Sequence, residues 1–407
     1  MKVLIVHNKY RHPGGEEETV RLEVLSLRKN GHAVIEYYRD SCELDSAGAW
    51  GMIRAASASF HSRRTERDLE ALVARHAPDV AHVHNVWPLI SPSAYVVLNR
   101  LAVPVVQTMH NYRFLSADGL HVPGDPAWDK GGPRGTRSPA RALGRLAMSL
   151  PLALHNRLGT MRRCIDRYVY LTEDGPEVFR RFGYDDAKAS VKPNFVDVHV
   201  LRPSPTYDDT IVYLGRLAPE KGVHVLLEAM RLLPEVRLVI IGSGPEEQSL
   251  RRMQQQYGLD NVRFVGSVAG AERFDLLRRS RLAVVPSCFR EPMSRVGVEA
   301  ASCGVPLVAS RVGGLRYTIV ENETGLLVPP GDAVALANAI RALYHDEARL
   351  RRMREGARAW AVRSAGEEKN YDALVRIYAL AIEQRRGRAT ASGSPGQPEK
   401  DSWARAG

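Results

Sequence analysis

Short aliphatic and β-branched runs alternate with longer stretches of helical period, and the alternation is set out twice along the chain. "VLIVH" (3–7), "AVIEYY" (33–38), "DVAHVHN" (79–85), "VPVVQTMHN" (103–111) and "RYVYLT" (167–172) form the first series. A polar, proline-bearing stretch, "PNFVDVHVLRPSPTYDD" (193–209), interrupts it. The pattern then restarts with "TIVYLGRL", "VRLVIIGSG", "VRFVGSV", "RLAVVPS" and "VPLVAS", each but the last followed by a helical stretch. Alternating strands and helices predict parallel α/β units. At roughly 150 residues per domain, 407 residues accommodate two of them, with the proline-rich stretch as hinge. Open parallel sheets bind ligands beyond the carboxyl ends of their strands, so two of them can face one another across a cleft.

Other classes are poorly supported. No run reaches the ~20 apolar residues of a membrane span. "MKVLIVHNKY" has neither the apolar core nor the cleavage site of a signal peptide, so a cytoplasmic location is expected. The cysteines, Cys42, Cys164, Cys288 and Cys303, make no C-x-x-C pair or metal-ligand spacing. The net charge of +11 invites an anionic partner. It is concentrated between Arg134 and Arg167, where eight arginines and one acid, Asp166, are interleaved with leucines. Two readings stand for this segment: an amphipathic face against anionic lipid, or a solvated arginine face. No nucleic-acid-binding signature accompanies the charge.

Three stretches carry chemistry. "GRLAPEKG" (215–222) puts Arg216 and Lys221 in a strand-to-helix loop, where cations and helix N-terminal amides together attract a diphosphate. "IIGSGPEEQSL" (240–250) only partly matches a dinucleotide fingerprint. Gly242 and Gly244 fit, but Glu247 occupies the third glycine position, which disfavours a dehydrogenase. "FREPMSRVGVEAASCGVPLVAS" (289–310) carries two carboxylates, Glu291 and Glu299, in an otherwise core-like run. Unpaired charge there is costly. A carboxylate accepts hydroxyls, and cations hold phosphates. A nucleotide sugar, with a diphosphate between two polyol rings, satisfies all four side chains.

These motifs in this order, with "PGGEE" (13–17) and "TMHNYR" (108–113), resemble the retaining glycosyltransferases of family 4, over residues 1 to about 385. The resemblance implies an α/β, GT-B fold: two facing Rossmann-like domains with an interdomain cleft. An acceptor-side domain would span 1–195 and a nucleotide-sugar domain 196–365. A helix over 366–386 would cross back to the first, ahead of a disordered tail, 387–407. Arg216 and Lys221 would hold the diphosphate and stabilise the departing nucleotide. Glu299 would bind the ribose and Glu291 the transferred sugar. Met293, Ser294 and Arg295 would approach sugar and phosphates, with Gly242 also on the donor side. His110 would lie beneath the sugar, Gly14 and Gly15 near the phosphates, and Glu16 near the acceptor. The anomeric configuration would be kept by front-face attack, with no metal and no cofactor. The family often has glycine at the position of Ser294 and an aliphatic residue at that of Arg295, which bears on donor preference.

The expected partners are a nucleotide-diphosphate sugar and a hydroxyl acceptor. The leading expectation is cell-surface polysaccharide or glycolipid synthesis, with a lipid-linked glycan at the inner membrane face. A soluble small-molecule acceptor is the alternative. A non-catalytic nucleotide-sugar-binding subunit is a third reading, against which the intact Arg216, Lys221, Glu291 and Glu299 argue. Taken on their own, His84 reads as a strand-end cap, and Trp87, Tyr95 and Trp360 as packing residues.

Overall fold

The strands form two sheets, each wholly parallel, and each is buried by helices on its faces. The computed structural model describes residues 1–11, 14–47, 57–120, 122 and 149–391. The amino-terminal part of the basic segment, 134–148, and the tail from 392 lie outside the described residues. The first sheet comprises β1 (Lys2–Lys9), β2 (Ala33–Asp40), β3 (Val80–Asn85), β4 (Val105–Thr108), β5 (Arg167–Tyr170) and β6 (Ala189–Val191), in the spatial order β2-β1-β3-β4-β5-β6. The second comprises β7 (Thr210–Leu214), β8 (Arg237–Ile241), β9 (Val262–Gly266), β10 (Leu282–Val285), β11 (Leu307–Ser310) and β12 (Gly325–Val328), in the order β12-β11-β10-β7-β8-β9. The chain is thus α/β, with two six-stranded parallel sheets. The continuously apolar strands follow from burial on both faces. Val3 to Val6 and Leu282 to Val284 are essentially inaccessible to water.

The strand order fixes where loops meet. In the second sheet the order reverses between β7 and β10. At such a reversal the loops after the two strands meet at the carboxyl edge, the place where open α/β sheets take their ligands. They are the loops that carry Lys221 and Glu291. The corresponding reversal in the first sheet lies between β1 and β3. The glycine-started helix Gly15–Lys29 follows the first of these strands, and His84 lies near the end of the second.

The last helix, Glu367–Ala391, returns to the first sheet. Its Leu374, Ile377, Tyr378 and Ala381 share a core with Val3, Ile5, Val106 and Val169. It runs through residues 387–391, where the sequence suggests that disorder begins. Arg385 and Arg388 both pair with the buried Asp166, at 2.7 and 2.9 Å, and so hold the final turns to the first domain.

Candidate functional site

The helix Arg295–Ser302 is capped by Ser294, whose Oγ accepts from the Gly297 amide at 3.3 Å. The hydroxyl that departs from the resembled pattern is thus a helix cap, the role serine fills best. Gly304 ends the stretch in the left-handed region, φ +62°. The loop preceding the helix rests on a glycine pair that the sequence reading did not single out. A Cβ at Gly313 would lie 2.3 Å from the Glu291 carbonyl oxygen, and one at Gly314 2.3 Å from that of Pro292. Only glycine permits backbone to approach backbone so closely.

Lys221 Nζ donates to Glu291 Oε1 at 2.8 Å, and the ammonium lies 5.0 Å from the centre of the Phe289 ring. Ser287 Oγ also donates to Glu291. Gly222, next to Lys221, has φ +69°, and a Cβ there would fall 1.9 Å from the Pro286 carbonyl oxygen. The two loops at the strand-order reversal are therefore in backbone contact. Arg216 pairs with Glu220 instead, and its own side chain is half exposed. Gly242 has a packing role: its Cβ would strike the Gly215 carbonyl oxygen at 1.9 Å.

Glu299 is buried and paired with two arginines. Arg295 Nε lies 3.0 Å and Arg273 Nη2 3.4 Å from the same oxygen, Oε1. Burial raises the Glu299 carboxyl, and both arginines oppose that shift. Arg273 comes from the helix Gly270–Arg278, too far along the chain for spacing to reveal it. Met293 Sδ accepts from the Asn194 amide at 3.2 Å, which brings the Glu291 loop against the first domain. Arg290 reaches across as well, to Asp174.

On the facing domain, Gly15 lies against Arg295: a Cβ would meet Arg295 Cδ at 3.2 Å. Gly14 precedes the helix in extended conformation, and its amide donates to Glu17 Oε2 at 2.8 Å. Glu16 Oε2 accepts from Tyr10 Oη at 3.0 Å, while Oε1 lies 3.8 Å from His7 Nδ1. Burial raises the Glu16 carboxyl to about 7, with His7 acting in the opposite sense.

His84 does more than end a strand. Its Nδ1 is 2.9 Å from His110 Nε2, and the two rings stack. Its Nε2 lies 3.6 Å from Glu23 Oε2. Glu23 pairs with the buried Lys192 at 2.6 Å, and His82 Nδ1 lies 3.5 Å from Glu23 Oε2. Burial, above all, lowers both His84 and His110 well below the ordinary histidine range, so both rings are neutral. One of the two facing nitrogens, His84 Nδ1 or His110 Nε2, carries the proton of this hydrogen bond, and the tautomers of the two rings are thereby coupled. Glu23, His82 and His84 are close enough to hold a metal ion. However, Lys192 already takes Glu23 Oε1, and the two ring nitrogens of His82 are bonded to Tyr378 Oη and Thr108 Oγ1. A cation would have to displace these partners and lie beside an ammonium. Trp87, Tyr95 and Trp360 are buried in the packing.

Two family models match the chain: a glycosyl transferase 4-like domain over residues 14–194 and glycosyl transferases group 1 over 202–360. A glycogen synthase of Mycobacterium tuberculosis is 29% identical over 356 residues, covering 85% of this chain and 77% of its own. A phosphatidyl-myo-inositol mannosyltransferase of Mycobacterium leprae is 34% identical over 199 residues, 46% of this chain and 52% of its own. Among solved structures, Anabaena Alr3699/HepE in complex with UDP superposes with a TM-score of 0.66 at 19% identity, over 96% of this chain and 100% of that one. That last likeness is one of fold.

Proposed function

Because this chain belongs to the glycosyltransferases of family 4, of GT-B fold, we propose that it transfers a sugar from a nucleoside diphosphate donor to a hydroxyl acceptor, keeping the anomeric configuration. The observation that carries the reading is the junction of Lys221 with Glu291 at the strand-order reversal of the second sheet, with Glu299 on the following helix. Lys221, 27% exposed, can exchange part of its contact with Glu291 for a phosphate. It then stabilises charge that grows on the leaving diphosphate, an interaction stronger in the transition state than in the ground state. Arg216, on the same loop, adds a second cation to the diphosphate. Glu291 accepts from the hydroxyls of the transferred sugar, and Glu299 from the ribose. The amides that open the helix Arg295–Ser302 supply further positive potential.

His110 lies beneath the sugar in this reading. Its inward Nε2 is committed to a hydrogen bond with His84 Nδ1, which fixes the ring's orientation. The acceptor hydroxyl enters from the side of Gly14 to Glu16, and its proton passes to the leaving phosphate on the front face. Glu291 then need not form a covalent bond. Lys221 and Arg216 do the work a divalent ion does in other transferases, so a chelator leaves turnover unchanged.

For the acceptor we favour a polysaccharide or a lipid-linked glycan. The names of the relatives, a glycogen synthase and a phosphatidyl-myo-inositol mannosyltransferase, support that direction. Among the described residues no helix is long and apolar enough to cross a membrane. The UDP bound by the fold relative makes uridine nucleotides the first to try. The test is a panel of UDP-, GDP- and dTDP-sugars, read by donor hydrolysis and by thermal stabilisation. One nucleotide class should raise the melting temperature and be hydrolysed slowly without acceptor. Silence across the panel would overturn the reading.

A further inference from the structure

Arg295 lies at the first turn of the helix that bears Glu299, yet its side chain extends away from its own domain. The aliphatic part passes over Gly15, within 3.2–3.9 Å of where a Cβ would be. The side chain is only 9% exposed, and its guanidinium is divided between two domains. Nε faces Glu299 Oε1 at 3.0 Å. Nη1 donates to Thr19 Oγ1 and to the Phe195 carbonyl, each at 3.3 Å. Nη2 lies 3.9 Å from Glu18 Oε1. Thr19 is itself fixed, because its hydroxyl donates to the Gly15 carbonyl at 2.9 Å. Glu18 is held by Arg21 at 2.7 Å. One planar fork thus joins a buried donor-side carboxylate to the first helix of the opposite domain.

An aliphatic residue of similar length could pack on Gly15 but could not make these contacts. A lysine could supply charge to one partner only, because it lacks the fork. Arg273 offers Glu299 a second cation at 3.4 Å, but it belongs to the same domain as Glu299. Arg295 is therefore the cation of Glu299 whose position depends on where the other domain lies. Both cations take Oε1, and Oε2 remains to accept from a hydroxyl.

We propose that Arg295 is a positioning residue that aligns Glu299 for the ribose hydroxyls of the donor and ties that alignment to apposition of the two domains through Thr19, Glu18 and the Phe195 carbonyl. The inference rests on the nucleotide-sugar reading given above. When the domains part, the Thr19, Glu18 and Phe195 contacts are lost, and the guanidinium is free to turn from Glu299. When they close, the fork is fixed and Glu299 presents Oε2 in one orientation. Nucleotide affinity then reports domain apposition, although Thr19 and Glu18 need not touch the nucleotide.

The experiment compares wild type with Arg295→Leu, Arg295→Lys, Thr19→Val and the Arg295→Leu/Thr19→Val double variant. Calorimetry measures UDP, GDP and dTDP binding, steady-state kinetics separate donor KM from kcat, and melting temperature is followed in parallel. Loss of one of the two cations paired with a buried carboxylate is expected to cost roughly a tenfold or greater loss of affinity, so Arg295→Leu should weaken the preferred nucleotide by about that factor. Arg295→Lys should recover little. Thr19→Val should weaken binding in the same direction, and the double variant should be no weaker than Arg295→Leu alone. A lowered melting temperature with unchanged nucleotide affinity and donor KM would reduce Arg295 to domain cement and overturn the inference. So would additive effects in the double variant. If Arg295→Leu does not fold, the near-isosteric Thr19→Val decides by the same affinity measurement. Wild type that binds none of the three nucleotides removes the underlying reading, and this inference with it. Wild type that binds, beside an Arg295→Leu that binds equally well, removes this inference alone.

Discussion

Lys221 Nζ and Glu291 Oε1 lie 2.8 Å apart, joining the loop after β7 to the loop after β10 across the point where the second sheet reverses its strand order. The residues are 70 positions apart in the chain. Their meeting is a product of topology, and it places one cation and one carboxylate where a ligand enters an open α/β sheet.

Removing the cation should therefore be felt in catalysis. Lys221→Ala is expected to lower kcat by about 10²–10³, the scale of a lost transition-state charge contact. Glu291→Gln should alter which sugars are used, with nucleotide affinity nearly unchanged. Steady-state kinetics over a donor panel checks both, and a Lys221→Ala enzyme turning over at the wild-type rate would remove leaving-group support from that lysine.

The Gly222 backbone should be as sensitive as the lysine beside it. With φ +69° and the Pro286 carbonyl oxygen 1.9 Å from any Cβ, Gly222→Ala forces the two loops apart. A loss of about 2–4 kcal/mol in urea denaturation is expected, from backbone strain combined with overpacking. Gly258→Ala, at φ +63° with open space around it, supplies the control for the conformational cost alone and should lose distinctly less.

Glu23 and Lys192 form a pair in which each side chain is 1% exposed. Breaking such a pair from one side leaves an uncompensated buried charge. Glu23→Gln is expected to destabilise the protein by about 3–5 kcal/mol. A Glu23→Leu/Lys192→Met double variant should be markedly less damaged than either single change, as read from melting temperature or chemical denaturation.

His84 and His110 should separate binding from turnover. His84→Phe keeps a buried ring stacked on His110 but removes the hydrogen-bond partner at 2.9 Å. A fall in kcat of about tenfold with unchanged nucleotide affinity is expected, in line with the ~1–1.5 kcal/mol of an ordinary hydrogen bond. Equal kcat in the variant would show that His110 does not need its partner.

Glu16 gives a pH test. Unfolded, its carboxyl ionises near 4.5; folded, burial moves it to about 7, with Glu17 acting in the same direction and His7 and Arg113 in the opposite one. Between those values the folded chain keeps a proton that the unfolded chain has released. The contribution to stability is therefore fully present below pH 4.5 and is lost as pH rises through 7. Glu16→Gln should flatten this part of the profile. The difference in melting temperature between variant and wild type, followed from pH 4.5 to 8, should shift in favour of the variant as pH rises.

Much of this was legible in the sequence because it is periodic or local. The alternation of strands and helices gave two parallel sheets, since strands buried on both faces are written as continuous apolar runs. β6 and β12 escaped because "ASV" and "GLLV" are too short and too ordinary to stand out. The spacing of Glu291 and Glu299 was visible, as was the loop with Arg216 and Lys221. Their partners were not. Arg273 beside Glu299, Thr19 and Glu18 beside Arg295, and Glu23 beside His84 and Lys192 come from distant segments. No local pattern marks which charge will neutralise which. That is settled only when packing removes water from both partners and makes an unpaired charge intolerable. The sequence alone thus determined the architecture and the chemical groups on offer. The tertiary structure decided which groups meet, because ion pairing across a cleft depends on distances that only the packed sheets define.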